Sequence, residues 1–462
     1  MGTGRITDTI AAVATAMGSA GIGIVRISGS EAITVADRVF ESGKKGKRLA
    51  DVDSHTVHYG VIKESGVVLD EVLAVVMRGP HSYTGEDTVE INCHGGILVT
   101  RKILEAVIRA GAEMAEPGEF TKRAFLNGRM DLSQAEAVMD LIHAKNEYAM
   151  KNSIRQLKGS VSQKIGKLRE QILYHMAYIE SALDDPEHIS LDGYGEELQK
   201  ILEPVAKEIE RLIRSAHNGK IVSEGIRTVI LGKPNAGKSS LMNVLVGEER
   251  AIVTDVAGTT RDVLEEPIRL GDVFLKLMDT AGIRETADVV EQIGVVRARE
   301  AANEADLILY VVDGGEDLDE NDEKIMDWIE GKKAIVLLNK ADLSMKVEVD
   351  ELKKKTGCPV VVISAREETG IEDLEKIVER MFLNGEIEKD DEVMITNTRH
   401  KSALESAFQS IKMVLQGVES GVPEDFLTID LMEAYGKLGT IIGEAVGEDL
   451  VNEIFERFCM GK

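Results

Sequence analysis

Gly232-Lys233-Pro234-Asn235-Ala236-Gly237-Lys238-Ser239-Ser240 fits the pattern G-x-x-x-x-G-K-[ST] and decides the fold around it. An apolar run, Thr228-Val229-Ile230-Leu231, precedes it as a strand candidate, and Leu241 to Val246 follows as a helix candidate. Strand, Gly-rich turn and helix in that order make a phosphate cradle. Glycines let the backbone wrap the anion, successive N–H groups point at it, and the helix N-terminus adds positive potential. The pattern predicts that Lys238 reaches the β- and γ-phosphates and that the Ser239 hydroxyl binds Mg²⁺. Asn235, Ala236, Gly237 and Ser240 complete the loop's nucleotide-facing set.

The base is named further along. Asn339-Lys340-Ala341-Asp342 follows the apolar run Ala334-Ile335-Val336-Leu337-Leu338. A carboxylate such as Asp342 only accepts hydrogen bonds. Guanine offers two adjacent donors, its ring N–H and its exocyclic amine, where adenine would set a lone pair against the carboxylate. Each desolvated mismatch costs about 1–3 kcal/mol. Ser364-Ala365-Arg366, after Val360-Val361-Val362-Ile363, is placed to cover the guanine. Asp279-Thr280-Ala281-Gly282 follows Phe274-Leu275-Lys276-Leu277-Met278. Asp279 would hold Mg²⁺ through water and the Gly282 N–H would meet the γ-phosphate. Between the phosphate loop and the strand candidate at Phe274 lies Gly258-Thr259-Thr260-Arg261-Asp262, with a candidate Mg²⁺-binding hydroxyl at Thr260. Four motifs in order, each at a strand end, predict a GTP-binding P-loop domain with a mostly parallel sheet and helices on both faces. Many GTPases orient the attacking water with Gln just after D-T-A-G. Here Ile283 stands there and cannot bond water. Arg261 and Arg284 are candidate cis arginines, although switch arginines are commonly solvated.

The remaining chain organises around this domain. Residues 1–122 mix strands and helices and read as an α+β N-terminal domain. Residues 123–221 read as helical, 222–383 as the G domain, and 384–462 as helical again. The G domain is therefore expected to be inserted into one helical domain, as close termini allow. Leu168, Ile172, Met176, Ile179 and Leu183 recur on one helical face, ended by Asp184-Asp185-Pro186. Leu404, Phe408, Ile411 and Leu415 make a second face, and Leu450, Ile454 and Phe458 a third. Three cysteines, Cys93, Cys358 and Cys459, without C-x-x-C, fit a reducing compartment with no structural disulfide or zinc site. Adjacent Cys93 and His94 would point to opposite faces of a strand, which argues against joint chemistry. No apolar run spans a bilayer and no signal peptide is read, so a cytoplasmic protein is expected. The formal charge of −26, from 81 acids and 55 bases, argues against extensive phosphate contact. One basic stretch, Lys151, Arg155, Lys158, Lys164, Lys167 and Arg169, reads most simply as a solvated helix face.

Several segments besides the G motifs carry a family likeness. They are Asp8-Thr9-Ile10 with Gly21-Ile22-Gly23-Ile24-Val25-Arg26-Ile27-Ser28-Gly29; Tyr83-Thr84-Gly85-Glu86-Asp87 with Cys93-His94-Gly95-Gly96; Pro117-Gly118-Glu119-Phe120-Thr121 with Arg123-Ala124-Phe125-Leu126-Asn127-Gly128; and the final Phe458-Cys459-Met460-Gly461-Lys462. From end to end the chain resembles the bacterial tRNA modification GTPases of the MnmE (TrmE) family. Met17 and Ala20 depart from the Pro and Gly expected in the first loop. The resemblance implies a homodimer that works with an FAD-dependent partner, GidA (MnmG), which carries much of the tRNA binding. GTP hydrolysis would drive conformational cycling while an aminomethyl-type (carboxymethylaminomethyl) group is installed at C5 of the wobble uridine. It implies a potassium ion in place of an arginine finger, held by Asn235, Thr254, Val256 and Thr259. Thr254-Asp255-Val256-Ala257-Gly258-Thr259-Thr260 would face the nucleotide, and Glu291 would orient water indirectly. It further implies an N-terminal domain that binds a tetrahydrofolate derivative, 5-formyl- or methylene-tetrahydrofolate, at Arg26, Glu90, Arg129 and Lys462, with Cys459 as a candidate thiol. A ribosome-assembly GTPase is the competing reading; no G-X-X-G in a basic helical context follows residue 383. A folate-dependent one-carbon transferase regulated by its G domain is the third.

Overall fold

The computed structural model describes residues 8–247, 267–271, 273–278, 299–382, 393–444, 446–456, 458, 459 and 461. The chain divides into two compact units, one drawn from 1–139, 156–192 and 417–462, the other from 140–155 and 193–416.

The first unit contains a seven-stranded sheet built from β1 (Ile10–Val13), β2 (Ala20–Ser28), β3 (Phe40–Ser42), β4 (Thr56–Glu64), β5 (Val67–Met77), β6 (Thr88–Gly95) and β7 (Glu113–Met114). The strand order is β3-β4-β5-β6-β2-β1-β7, antiparallel throughout except for β1 with β7. Alternation decides its faces. Val25, Ile27, Ile62, Val72, Val89 and Ile91 point to a core covered by the helices Ala32–Val39 and Ile97–Arg109. Arg26 on β2 lies directly opposite Glu90 on β6, off that core.

Helical packing completes the unit. The helix Ser160–Asp184 packs against Glu424–Ile442. It buries Leu168, Ile172, Met176 and Ile179, as their spacing predicts, and ends at Asp184. Leu183 does not continue that face. It is 49% exposed, and Ala182 is buried instead, because steps of three carry the buried stripe past it. The last helix, Glu448–Glu456, also differs from its predicted face. Val451 and Phe455 are buried, while Leu450 is exposed. Phe458 lies beyond the helix end, where the 3.6-residue period no longer aims it. A turn, with the Phe458 N–H donating to the Phe455 carbonyl, folds it onto Ala124, Leu132, Ala135 and Val138.

The second unit holds β8 (Ile226–Leu231), β9 (Pro267–Leu270), β10 (Val273–Leu277), β11 (Leu307–Asp313), β12 (Ala334–Asn339) and β13 (Val360–Val362). The order is β13-β12-β11-β8-β10-β9, and only the β9–β10 pair is antiparallel. Both faces are buried. Ile230, Leu309, Val311 and Leu337 meet the helices Lys238–Val246 and Ile371–Phe382. Val229, Tyr310, Val312 and Val336 meet Glu320–Ile329 and Val349–Thr356 on the other side. This is a doubly wound P-loop fold, with the loops at the carboxyl ends of its strands placed to take a ligand. In the helix Thr398–Glu419 the buried apolar positions are Leu404, Ala407, Ile411 and Val414. Phe408 and Leu415 are half-buried at the edge of that stripe. No helix among the described residues is long and apolar enough to cross a membrane.

Candidate functional site

Three backbone conformations shape the phosphate loop. Gly232 has φ +148°, Asn235 +63° and Gly237 +99°. A Cβ at Gly232 would lie 2.4 Å from the Val311 carbonyl oxygen, and one at Gly237 2.1 Å from Asn339 Nδ2. Glycine is therefore required at both, by backbone sign and by space. Asn235 takes the left-handed region that asparagine tolerates better than most residues. Gly237 caps the helix Lys238–Val246, leaving its first N–H groups directed at the loop.

The Lys238 ammonium folds back to donate to the carbonyls of Gly232 and Lys233, both at 2.6 Å. Burial holds its pKa below the ordinary lysine value. No carboxylate pairs with it among the described residues. A desolvated cation satisfied only by neutral carbonyls favours an incoming anion. Ser239 and Ser240 are exposed at the start of the helix. The loop, the ammonium and the hydroxyls together fit a magnesium-bound nucleoside triphosphate. Of the expected Mg²⁺ ligands, Thr260 and Asp279 lie outside the described residues and Ser239 is described.

Asn339 joins the phosphate loop to the base side. Its Nδ2 donates to the Ala236 carbonyl at 2.8 Å and its Oδ1 accepts from the Ala365 N–H at 3.0 Å. Asn339 is 2% exposed, so this is a buried cross-brace between two loops. Lys340, with φ +67°, places its ammonium 2.5 Å from the buried Asp313 carboxylate. Asp342 accepts from the Ser364 hydroxyl at 2.6 Å. That bond, more than any other influence, lowers its pKa, so the carboxylate stays an acceptor. These residues open on a pocket of about 560 Å³ lined by Gly237, Asn339, Lys340, Asp342, Ala365 and Arg366, among others.

A further brace runs the other way and is absent from the sequence-based set. Lys233 Nζ lies 3.1 Å from Asp319 Oδ2 and 2.7 Å from Asp322 Oδ2. Asp322 is 1% exposed, and its other oxygen accepts from the buried Tyr310 hydroxyl at 2.8 Å. Burial and that bond together push the Tyr310 pKa upward. Asp319 and Asp322 form a reciprocal capping box on the helix Glu320–Ile329. The D-x-x-D spacing was readable as such a cap; its link to Lys233 was not.

In the first unit, β2 and β6 bring Arg26 and Glu90 into a pair 2.8 Å apart, both largely shielded. The Arg26 guanidinium stacks over Tyr83 and Phe120, 5.4 and 5.6 Å from the ring centroids. Arg129 reaches the Tyr83 ring at 5.8 Å and donates to the Ser82 carbonyl at 2.6 Å. Arg26 also donates to the Gly461 carbonyl at 3.2 Å. The Gly118 N–H donates to the Cys459 carbonyl at 3.4 Å. Cys459 itself is exposed and its thiol is free. The expected folate set thus includes three described residues in one place, with Tyr83 and Phe120 as flat neighbours that spacing did not reveal. A carboxylate, two guanidiniums and aromatic faces fit a ligand with a donor edge and anionic tail. Lys462 lies outside the described residues. Beneath this site Arg123 is 5% exposed and binds Glu86 and Glu119. Cys93 is buried and His94 exposed, on opposite faces; Asp70 accepts from the His94 N–H at 2.8 Å and meets its Nδ1 at 2.7 Å. Thr254, Asp255, Val256, Ala257, Gly258, Thr259, Thr280, Ala281, Gly282 and Glu291 all lie outside the described residues.

Comparison with known proteins adds an independent line. The family described as MnmE helical domain matches residues 132–459, and the one described as GTP-binding protein TrmE N-terminus matches 9–129. A tRNA modification GTPase MnmE of Lachnoclostridium phytofermentans is 57% identical over 456 residues, covering 99% of this chain and 100% of that protein. That of Bacillus subtilis is 49% identical, covering 98% and 100%. A solved structure of Aquifex aeolicus Era bound to GDP and AlF4⁻ is 30% identical, covering 40% of this chain and 66% of that one, with a TM-score of 0.28.

Proposed function

The chain belongs to the MnmE family of tRNA modification GTPases, and from that premise we propose that it hydrolyses GTP to drive modification of the wobble uridine of tRNA. The observation that carries the nucleotide assignment is the pair of braces meeting at one pocket. Asn339 ties the phosphate loop to the loop of Ala365, and Ser364 holds Asp342 ionised at the pocket wall. In this reading Asp342 accepts from the two donors of guanine, Lys238 exchanges its carbonyl partners for phosphate oxygens, and Ser239 with Thr260 holds Mg²⁺. Asn235, with Thr254, Val256 and Thr259, holds potassium in place of an arginine finger, and Glu291 orients water. Arg26, Glu90, Arg129 and Lys462 bind the tetrahydrofolate derivative, which supplies a one-carbon unit; Cys459 is a thiol at its edge.

The chain works in the cytoplasm as a homodimer with the FAD-dependent GidA (MnmG) protein. An apolar outer face supports self-association: Tyr59 on β4 pairs with Leu73 on β5, and both are about half exposed beside Val57. The decisive test of the base reader is Asp342→Asn. An amide can donate to the oxygen that xanthine carries, so the variant should lose GTP and gain xanthosine triphosphate. Unchanged GTP affinity would refute the assignment.

A further inference from the structure

Much of the basic stretch between Lys151 and Arg169 is engaged within the chain. Lys151 lies 3.2 Å from Glu147. Arg169 is buried, pairs with Glu444, and stacks 4.1 Å over the Tyr435 ring. Arg155 and Lys164 also have partners. A different run is organised otherwise. Gly43-Lys44-Lys45-Gly46-Lys47-Arg48 leaves β3 and enters the short 3₁₀ turn Leu49–Asp51, at the edge of the seven-stranded sheet.

Residues 43–48 are all exposed. Among the described residues, no ion pair engages Lys44, Lys45 or Lys47. Arg48 approaches Asp37 only at 3.7 Å, and Asp37 already accepts the N–H groups of Leu49 and Ala50 at 2.7 and 3.0 Å. Glu41, at the other end of the loop, is taken by Lys63 at 2.6 Å. Asp51 and Asp53 follow, so residues 43–53 carry four cations against two carboxylates in a chain of charge −26. The positive field reaches inward. Lys47 helps burial, the larger cause, to hold the His58 pKa below its ordinary value.

A polyanion approaching a protein of this net charge is repelled except where a local patch reverses the sign. We propose that the 43–48 loop is a contact for the phosphate backbone of tRNA, an inference that rests on the tRNA-modifying reading above. Lysines on flexible stems act as point charges toward phosphates and carry no sequence information. The loop therefore supplies affinity and placement, leaving choice of nucleotide to other groups.

The test uses the full-length chain and fluorescent tRNA transcript, titrated between about 50 and about 200 mM salt. Lys44→Ser/Lys45→Ser/Lys47→Ser is compared with wild type. Each lost phosphate contact removes about 0.7–0.9 from the slope of log affinity against log salt, so the slope should fall by about 2–3. Affinity at the low-salt end should fall about tenfold or more, with GTP hydrolysis unchanged. Equal affinity and slope in the two proteins overturn the proposal. So does a wild-type chain that binds no tRNA, or a variant that loses only binding to phosphatidylglycerol vesicles. The underlying reading fails separately: tRNA from a strain lacking this chain would keep its normal wobble-uridine modification.

Discussion

Replacing Lys233 by Met tests whether the phosphate loop is held from outside its own motif. Lys233 is shielded between Asp319 and Asp322, and Asp322 is almost completely buried. Orphaning a buried charge costs about 3–5 kcal/mol. Asp322 would keep two donors, the Tyr310 hydroxyl at 2.8 Å and the Asp319 N–H at 3.1 Å. The cost of Lys233→Met should therefore fall to about 2 kcal/mol. For a unit of this size that lowers the melting temperature by roughly 4–8 °C, read as the GDP-sensitive transition of the full chain. The loop is affected as well. The Lys233 carbonyl accepts from Lys238 Nζ at 2.6 Å and from the Ala236 N–H at 3.3 Å. Loosening that residue should speed GDP release by about tenfold, equivalent to about 1.4 kcal/mol, measured by stopped-flow displacement. Lys233→Arg should restore both properties. Tyr310→Phe is the control, because it weakens the buried carboxylate's surroundings and leaves the ammonium in place; it should lower the melting temperature with little effect on release. A Lys233→Met protein with wild-type stability and release rate would refute the brace. Equal effects on release from Lys233→Met and Tyr310→Phe would reduce it to general destabilisation.

Ser364→Ala should move the acid limit of GDP binding upward. The Ser364 hydroxyl lowers the Asp342 pKa, so the ionised acceptor persists until pH falls through that depressed value; without the hydroxyl the loss begins at higher pH. An unmoved acid limb in a binding titration would contradict this. Glu291→Ala should keep nucleotide affinity and lower kcat, and hydrolysis in potassium should clearly exceed that in sodium; equal rates in both salts would count against the cation site, and a full-speed variant against the glutamate. Gly461→Ala should leave GTP hydrolysis intact and abolish tRNA modification, because a Cβ there would lie 2.3 Å from the Val13 carbonyl oxygen at φ +82°. Normal modification by that variant, read by mass spectrometry of tRNA, would show the tail to be passive.

The two braces differ in how far the sequence reveals them. Asn339 sits inside N-K-x-D, and its neighbours follow from strand order, since parallel strands set their carboxyl-end loops side by side. The Lys233 brace depends on a capping box some ninety residues away and on the twist that sets one helix end beside the loop. A D-x-x-D spacing predicts the cap but not the cation that reads it. Strand alternation was equally legible: Val229 and Ile230 point to opposite cores, as period two requires. Helical faces were less so. Steps of four from Leu450 reach Phe458 and put Leu450 on the expected face, yet the helix stops at Glu456 and the buried stripe is Val451 and Phe455.

The cluster around Arg26 could not be read from spacing. Arg26 and Glu90 are 64 residues apart and become cross-strand partners only through the register of β2 with β6. Gly461 is 435 residues from Arg26, and its carbonyl nevertheless completes the guanidinium's bonding. No local pattern encodes that approach; it is set by Phe455 and Phe458, which anchor the last turn on Ala124 and Leu132. Gly118 makes the seating possible, since a Cβ there would lie 2.4 Å from the Phe455 carbonyl oxygen. Gly118 against Phe455 and Gly461 against Val13 thus admit two backbone approaches that any side chain would block. Phe458, Cys459 and Gly461 are thus held by packing and backbone bonds, Gly461 directly against the guanidinium.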